Sequence, residues 1–411
     1  MHYRPRVSIT GRRESAAQGV FRVRVFAVLF AAETVSVVGS QLAKFALSVL
    51  VFERTNSAAA AALTYATSYL PATVGGPVLG RLVDRYSRRA VMITADLLRA
   101  ALFVAMVTPS LPLGVVVAML AVAVFLDPSF TAAELSLLAD ALDGEQFRAA
   151  TAVRGASAQL LQVAGFAFGG AVVAAVHPRG ALLIDAATFA VSALCVRLLV
   201  AEPDRGAGSG AAETVADPTP RALRYRGLWG DRRTRVPMAY LVLVALFVLP
   251  EALAVPFGHA IGASTVQTGI LVAMIPFGSA VGAVLVVRMP PTTRAAAARA
   301  MAVACGLPLL ASAAEPPWPV ALVCWFASGV FGAYMIEQIG VLVAAIPSEE
   351  RGRRLAHLSS WLTGSQGVAF ALAGGLTEFL APGVAIAGAA GAGCVVAGAL
   401  TLRVRAANAA T

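Results

Sequence analysis

Four carboxylic acids lie deep in the first, fourth, seventh and tenth of the long apolar stretches of this 411-residue chain: Glu33, Asp127, Glu251 and Glu337. A charged side chain costs ~2.5–3.5 kcal/mol at the centre of a bilayer, so each of these acids requires an explanation. A carboxylic acid in a cavity of low dielectric constant holds a proton, because its charged form loses hydration there, and it releases the proton when water enters. The four acids therefore indicate exchange of a proton against a cationic or polar molecule. Glu33 and Glu251, nearest the middle of their stretches, are the first candidates.

The one lysine of the chain, Lys44, lies in the same apolar stretch as Glu33 and eleven residues after it. The two side chains share nearly the same helix face but stand ~16 Å apart along the axis, so they cannot form a pair. We expect a structural salt bridge for Lys44, with Asp185 as a partner, or contact with an anionic group of a substrate. Arg99 follows Asp96 by three residues, a spacing that allows a local ion pair.

Further polar and aromatic side chains in the apolar stretches are possible substrate contacts, as Lys44 is. Tyr65 and Tyr69 lie one turn apart, Tyr334 lies one turn before Glu337, and Gln366 lies in the eleventh stretch. Packing is the alternative role for the aromatic residues. A satisfied pair between helices is the alternative for Glu337.

Membrane-spanning helices must position these residues, because the chain is 58% hydrophobic and only 13% charged. A helix of ~20 residues crosses a bilayer. Apolar stretches of about that length recur at about 25–51, 58–79, 90–109, 112–133, 150–176, 180–200, 236–260, 266–287, 297–314, 318–345, 355–380 and 383–402. The sequence therefore predicts an all-α integral membrane protein with twelve transmembrane helices in two pseudo-symmetric six-helix halves.

The positions of the arginines predict the orientation of the chain. With the N-terminus in the cytoplasm, nearly all arginines outside the spans fall on the cytoplasmic side, as the positive-inside rule requires of an even number of spans. We expect a multi-pass protein of the inner (plasma) membrane with both termini cytoplasmic. Its predicted parts are an arm (1–24), a first six-helix half (25–200), a linker (201–235), a second half (236–403) and a tail (404–411).

The linker is the one long polar segment, and it divides the spans six and six. Its first part is rich in Gly, Ser and Pro, which is typical of a flexible connection. Its second part, 221–235, interleaves arginines with leucine, tyrosine and tryptophan. That pattern is typical of an amphipathic helix at the membrane interface, and an ordinary basic loop is the alternative.

The residue types exclude several classes of protein. A Walker loop needs a Gly-Lys pair, and Lys44 follows Ala43, so this chain alone cannot use ATP for transport. The four histidines are far apart and no Gly-x-Ser-x-Gly sequence occurs, so nothing indicates an enzyme. The net charge of +10 resides in the connections between spans, so no nucleic-acid partner is expected. We expect no cofactor and no metal site.

A hydrophilic sequence between the second and third stretches carries a family resemblance. It reads Gly80-Arg-Leu-Val-Asp84-Arg85-Tyr-Ser-Arg88-Arg89 and resembles the signature loop of the major facilitator superfamily, which has Gly, three residues, Asp-Arg, two residues and a basic pair. The chain is similar to drug and siderophore exporters of that superfamily across nearly its whole length. The resemblance implies a gating role for this loop and Arg99, with Asp127 of the fourth helix as the acidic partner. Proton coupling is the alternative role of Asp127.

A second resemblance lies in the fifth stretch. Gly165-Phe-Ala-Phe-Gly169-Gly170 is similar to the antiporter motif of the same superfamily, with Phe166 where that motif has proline. Helix packing is the alternative role of these glycines. The resemblance also implies that the first, fourth, seventh and tenth helices, which carry the four acids, line a central cavity.

These resemblances imply proton-coupled efflux of a small organic molecule, such as an antibiotic, a siderophore or another secondary metabolite. The expected partners are that substrate, protons and the lipid bilayer, and the expected protein is a monomer driven by the proton gradient. A nutrient-importing symporter or facilitator is one alternative. A non-transporting membrane receptor built on the same scaffold is another.

Overall fold

The computed structural model describes residues 19–200, 228–347 and 350–409, and these residues form helices and no strand. The α-helices are α1 (Arg24–Thr55), α2 (Ala58–Thr67), α3 (Leu70–Arg85), α4 (Arg88–Met106), α5 (Leu113–Ala141), α6 (Gly144–Leu199), α7 (Arg232–Val242), α8 (Val244–Phe247), α9 (Leu249–Ala260), α10 (Thr265–Arg288), α11 (Pro291–Ala304), α12 (Trp318–Gly332), α13 (Tyr334–Ala345), α14 (Arg351–Leu376) and α15 (Pro382–Ala409). A 3-10 helix, Pro308–Ala314, follows α11.

The described residues cross the membrane twelve times, so the predicted fold is confirmed. Eight helical segments are long and apolar enough to span a bilayer, and one of them is the 56-residue α6. Because His177 leaves the helical conformation (φ 61°, ψ 163°) just before Pro178, α6 contains two crossings. The other three crossings are α2 with α3, α4, and α14, which are interrupted or carry more charge.

Capping residues account for several helix ends. The side chain of Asp143 accepts hydrogen bonds from the backbone at the start of α6, and Gln146 completes a capping box. Ser264 and Gln267 form the same arrangement at the start of α10. Asn56 ends α1 with a positive φ of 53°, a conformation that asparagine tolerates well.

The fourth and fifth spans are longer than the sequence predicts. The predicted spans 112–133 and 150–176 follow the apolar residues, whereas α5 continues to Ala141 and α6 begins at Gly144. A span predicted from hydropathy ends where charged residues begin. A helix continues as long as its backbone hydrogen bonds are made and its charges find partners, as they do here.

The linker prediction is tested only at its end, because 201–227 lie outside the described residues, as do 1–18 of the predicted arm. From Leu228 the chain makes a turn, and α7 begins at Arg232. Leu228 is buried, and the ring of Trp229 packs against that of Trp361 of α14 at 5.9 Å between centroids. This end of the linker is thus anchored to the second half.

Because the chain crosses twelve times, the first residue of α1 and the last residue of α15 lie on the same side, which we call the termini face; the other side is the far face. The largest buried apolar cluster lies toward the far face and contains residues of both halves, among them Phe166 and Trp325. The three other clusters of the described residues lie toward the termini face. Each of them belongs to one half only.

Close contacts confirm that the halves meet toward the far face. The rings of Phe52 and His259 lie 5.4 Å apart. The backbones of α6 and α10 approach so closely that a Cβ atom on Gly170 would lie 2.9 Å from the Cα atom of Gly269. The two halves are therefore joined at the far face, and their cores are separate at the termini face.

Candidate functional site

One arginine binds two glutamates inside the first half. The guanidinium of Arg154, on α6, donates to both carboxylate oxygens of Glu33 on α1 at 2.7 Å each. Its Nη2 also donates to Oε2 of Glu134 on α5 at 2.7 Å. The side chains of Arg154 and Glu134 are 12% and 2% exposed, whereas that of Glu33 is 25% exposed. We call these three residues the Glu33–Arg154–Glu134 triad.

A second arginine also binds two acids. Arg99 of α4 lies 2.8 Å from Asp127 of α5 and 3.3 Å from Asp96, one turn earlier on its own helix. Its guanidinium stands over the rings of Phe130 and Phe189, at 5.2 and 4.8 Å from their centroids. The predicted pair of Arg99 and Asp96 is thus present. The side chain of Asp127 is 58% exposed, and its ion pair with Arg99 joins α5 to α4.

The signature loop forms its ion pair with a different acid from the one expected. Arg88, at the start of α4, pairs with Asp140 near the end of α5 and also donates to the carbonyl of Ser136. Arg89 donates to the carbonyl of Arg197. The prediction that Asp127 is the acidic partner of the loop is therefore wrong for Arg88, because Asp127 lies too far from the end of α5 and is engaged by Arg99.

The remaining loop residues can be placed only in part. Arg85 is exposed at the end of α3. The backbone of Gly80 and Asp84 belongs to α3, but their side-chain environment lies outside the described part of the structure.

Glu251 lies between the halves. It belongs to α9 and is 7% exposed, and it accepts a hydrogen bond of 3.4 Å from the hydroxyl of Tyr65 on α2. Tyr65 stacks on Tyr69, and Phe370 of α14 packs edge-on against both rings. The ammonium of Lys44 lies 4.9 Å from the centroid of the Tyr69 ring. Three predicted substrate contacts, Lys44, Tyr65 and Tyr69, thus share one cluster with a predicted proton-binding acid.

The predicted pair of Lys44 and Asp185 is absent among the described residues. Lys44 faces Tyr69 and forms no ion pair with Asp185, whose carboxylate instead accepts from the hydroxyl of Thr188. The hydroxyl of Tyr334 donates to the backbone carbonyl of Tyr240 at 3.0 Å rather than to Glu337. Asp185 lies beside Gly39, five residues before Lys44 on α1, which accounts for the missing pair.

Glu337 and Gln366 lie on helices of the second half. Each is half-buried, Glu337 on α13 and Gln366 on α14. The predicted cavity acids therefore do not form one group. Glu33 and Asp127 belong to the two arginine-centred clusters, and Glu251 lies at the contact between the two halves, which we call the seam. Glu337 lies apart from all three.

The glycines of the antiporter-like motif lie where helices cross closely. A Cβ atom on Gly165 would lie 2.7 Å from Cβ of Gln41 on α1. One on Gly170 would lie 2.8 Å from the carbonyl oxygen of Thr265 on α10. Gly169 has ordinary contacts with Leu42, at 3.8 Å. The motif therefore joins α6 both to its own half and to the other one.

Sequence reasoning missed three residues of these clusters: Glu134, Asp140 and Arg154. Glu134 and Asp140 follow the predicted end of the fourth span. Arg154 enters the sequence analysis only as one of the arginines that predict the orientation of the chain. One signal was present, because Asp127, Glu134 and Asp140 lie seven and six residues apart, which places them at intervals of ~10.5 and ~9 Å along one helix. We call these three the α5 acids. Each pairs with an arginine from another helix.

Known proteins match both the sequence and the fold. The family model of the Major Facilitator Superfamily matches residues 29–318. The multidrug efflux pump Tap of Mycobacterium tuberculosis (strain ATCC 25618 / H37Rv) is 27% identical over 372 residues, which cover 86% of this chain and 87% of that protein.

Two further matches differ in extent. Macrolide efflux protein A of Streptococcus pyogenes is 37% identical over 76 residues, only 18% of this chain and 19% of that protein. The crystal structure of a bacterial homologue of the human lysosomal transporter Spinster, inward-facing and occupied, superposes with a TM-score of 0.67 at 16% identity. That superposition covers 94% of this chain and 96% of the other, and it concerns the fold alone.

Proposed function

Since this chain belongs to the major facilitator superfamily of membrane transporters, we propose that it exports a small organic molecule across the inner membrane in exchange for protons. The outward direction is supported by the similarity to a multidrug efflux pump along 86% of the chain. The substrate class is a drug-like molecule, such as an antibiotic or another secondary metabolite. Alternating access of one site to the two sides of the membrane is the mechanism.

The observation that carries the proton coupling is the position of Glu251. Its carboxylate is buried at the seam between the halves, and its hydrogen-bond partner Tyr65 belongs to the opposite half. Alternating access separates the far-face contacts, so water reaches Glu251 only in the other state. A carboxylic acid that is alternately dry and hydrated binds and releases a proton.

The charges near Glu251 support a cationic or polar substrate. Lys44 and Glu251 contact the two stacked rings of Tyr69 and Tyr65, so their opposite charges lie in the same cluster. When Glu251 binds a proton, Lys44 loses the attraction of that carboxylate. The Tyr65–Tyr69–Phe370 rings next to this pair provide apolar and π surfaces on which an organic cation binds well.

The orientation follows from the arginines and defines the loading side. With both termini in the cytoplasm, the termini face is cytoplasmic, and the structure is the state in which the extracellular side is closed. A substrate of an exporter enters from the cytoplasm or the inner leaflet in this state. Separation of the far-face contacts then releases it outward.

Proton movement in reconstituted vesicles tests this proposal. Vesicles with an internal pH dye are challenged with lipophilic cations and antibiotics under an imposed pH gradient, for the native protein and for Glu251→Gln. We expect compound-dependent proton flux in the native protein and its loss in Glu251→Gln, because an amide cannot carry a proton at this pH. Glu315→Gln is the matched control, since Glu315 is exposed in the loop before α12.

Each other outcome contradicts a different part of the proposal. Flux that is unchanged in Glu251→Gln removes Glu251 from the coupling mechanism. Compound transport without proton flux indicates a facilitator. Compound uptake that follows the proton inward indicates a symporter, and the direction of export is then wrong.

A further inference from the structure

We propose that Glu134 is a second proton-binding residue of this transporter, and that Arg154 and Glu33 position it. The proposal rests on the proton coupling described above, and it adds a residue of the first half to the acid at the seam. It assigns to the Glu33–Arg154–Glu134 triad the role of an exchangeable proton site.

The triad contains more negative than positive charge. One guanidinium serves two carboxylates, so the three ionised groups together carry one negative charge. Two carboxylates that share one site do not readily ionise together. A single proton bound by either glutamate makes the triad neutral, and such a neutral triad is far less costly to bury.

The hydrogen bonds indicate which glutamate takes this proton. Arg154 donates twice to Glu33 and once to Glu134, so Glu33 already has both oxygens satisfied by the guanidinium. Glu134 is 2% exposed, and its Oε1 is buried without a hydrogen-bond partner among the described residues. A proton on that oxygen neutralises the less solvated carboxylate and leaves the bond from Arg154 to Oε2 intact.

The other charged groups around Glu134 reinforce this assignment. Asp127 on the same helix and Asp96 on α4 both act on Glu134 as negative charges, as does Glu33 on α1. Arg99, the basic residue nearest to those two aspartates, is engaged by both of them. Arg154 of α6 is therefore the one cation of the described residues that contacts Glu134, and it is shared.

The difference in exposure gives the proton a route. Glu33 is 25% exposed, and its carboxylate is held on the same guanidinium as that of Glu134. If Arg154 rotates toward Glu134 and transfers its second hydrogen bond there, the proton of Glu134 passes to the carboxylate of Glu33, which has lost a partner and releases the proton to water through its exposed side. The triad then carries one negative charge, which either a returning proton or an organic cation can compensate.

Infrared spectroscopy of the reconstituted protein tests the assignment without a known substrate. The pH-difference spectrum of a protonated carboxylic acid has a C=O stretching band, and we expect the native protein to have a band that is lost in Glu134→Gln and kept in Glu251→Gln, which removes only the band of Glu251. In Glu33→Gln the band also weakens, because Arg154 then serves Glu134 alone and the pair is neutral without a proton. Glu145→Gln, an exposed residue in the first turn of α6, keeps the native band.

A band that is unchanged in Glu134→Gln overturns the proposal. If Glu134→Gln does not fold, Glu134→Asp decides, because aspartic and glutamic acids absorb at different frequencies and the band must then shift; a band that stays in place is contrary evidence. If the triad has only a structural role, Glu134→Gln and Glu33→Gln should lose folded protein equally. The band of the fraction that folds should then be unchanged.

Vesicle assays separate this proposal from the proposed function. If the native protein shows compound-dependent proton flux, Glu134→Gln is expected to lose flux driven by a pH gradient and to keep exchange of external for internal compound. Native-like proton flux in that variant contradicts the role of Glu134 while proton-coupled export stands. A triad band in a native protein that moves no protons with any compound leaves the proton site in place and contradicts the transport proposal.

Discussion

At the scale of single residues, arginines compensate the acids of the first half. Arg88, Arg99 and Arg154 each bind one of the α5 acids, and two of the three also bind a second carboxylate. The pairs Arg154–Glu134 and Arg99–Asp96 are buried on both sides, and removing one partner of such a pair costs ~3–5 kcal/mol, because the other charge is left without compensation. These residues therefore hold α5 to α1, α4 and α6, and they also concentrate negative charge around Arg99 and Arg154.

The pair of Arg88 and Asp140 predicts a testable coupling between loop and helix. Both side chains are partly exposed, so the pair contributes at most ~1 kcal/mol, which is about fivefold in an equilibrium between two states. We expect Arg88→Gln and Asp140→Asn each to lower the transport rate by up to about fivefold. The exchange Arg88→Asp with Asp140→Arg should recover part of the loss, as measured in vesicles.

The control for this pair is Arg403→Gln, since Arg403 is exposed on the last helix. It should leave the rate unchanged. If the two single variants lose activity but the exchange recovers none, the contact between the two side chains is not what matters. The acidic partner of the signature loop must then be sought elsewhere.

At the scale of elements, α6 connects the two halves more tightly than its apolar sequence suggests. Its first crossing carries Arg154 toward the termini face and Gly170 toward the far face. Arg154 binds within the first half, whereas Gly170 packs against the backbone of α10 in the second half. One helix thus contains both a candidate proton site and a contact that must change when the halves move.

The crossing of α6 and α10 predicts the effect of a single methyl group. In Gly170→Ala a Cβ atom would lie 2.8 Å from the carbonyl oxygen of Thr265, a distance that Cβ atoms essentially never show. We expect the far face to open and the transport rate to fall, although alanine favours the helix itself by ~1 kcal/mol. Accessibility of an engineered far-face cysteine to a charged thiol reagent measures the opening.

Gly398→Ala on α15 is the matched control, because no atom lies within 4 Å of a Cβ built at that glycine. It should keep the native rate and accessibility, or raise thermal stability slightly through the same helix preference. If both substitutions have the same effect, the added methyl group changes transport through the helix preference of alanine and not through a clash between α6 and α10.

At the scale of the whole molecule, burial is distributed unequally between the two faces. One large apolar core unites the halves toward the far face, and separate cores serve each half toward the termini face. Opening the far face therefore breaks an apolar contact, while closing the termini face must create a new one. Because each half also has a core of its own, we expect each half to move as a rigid body.

A disulfide across the seam tests this motion. A Cβ atom on Gly374 of α14 would lie 3.3 Å from Cβ of Ala62 on α2, close to the ~3.5–4.5 Å of disulfides. In a protein whose free cysteines, Cys195, Cys305, Cys324 and Cys394, are replaced, we expect Ala62→Cys with Gly374→Cys to cross-link under mild oxidation and to stop transport. Reduction should restore transport.

The control moves the second cysteine by one residue. Gly375 has no atom within 4 Å of a built Cβ, so Ala62→Cys with Gly375→Cys should not cross-link. Transport that continues in the cross-linked protein would show that the halves need not separate at this contact. Alternating access by rigid halves would then be the wrong description.

The sequence alone determined the class of this protein, because membrane crossing depends on local properties. Length and hydropathy of each stretch predicted twelve spans, and the spacing of a few loop residues predicted the superfamily; both predictions are confirmed. The same stretches identified Glu33, Asp127, Glu251 and Glu337 as acids inside the membrane. The boundaries of the halves and the roles of these acids stay predictions.

The tertiary structure alone decided which groups meet. Glu33 and Arg154 are 121 residues apart in the chain, and Tyr65 and Glu251 are 186 residues apart. Hydropathy carries no information on the direction in which a side chain leaves its helix or on which helix lies beside it. Those choices depend on how twelve helices pack together, and close crossings such as Gly170 against α10 set that packing. For this reason the sequence could predict acids in the membrane, but only the fold could show that Glu33 shares Arg154 with Glu134, an acid that the sequence analysis did not identify.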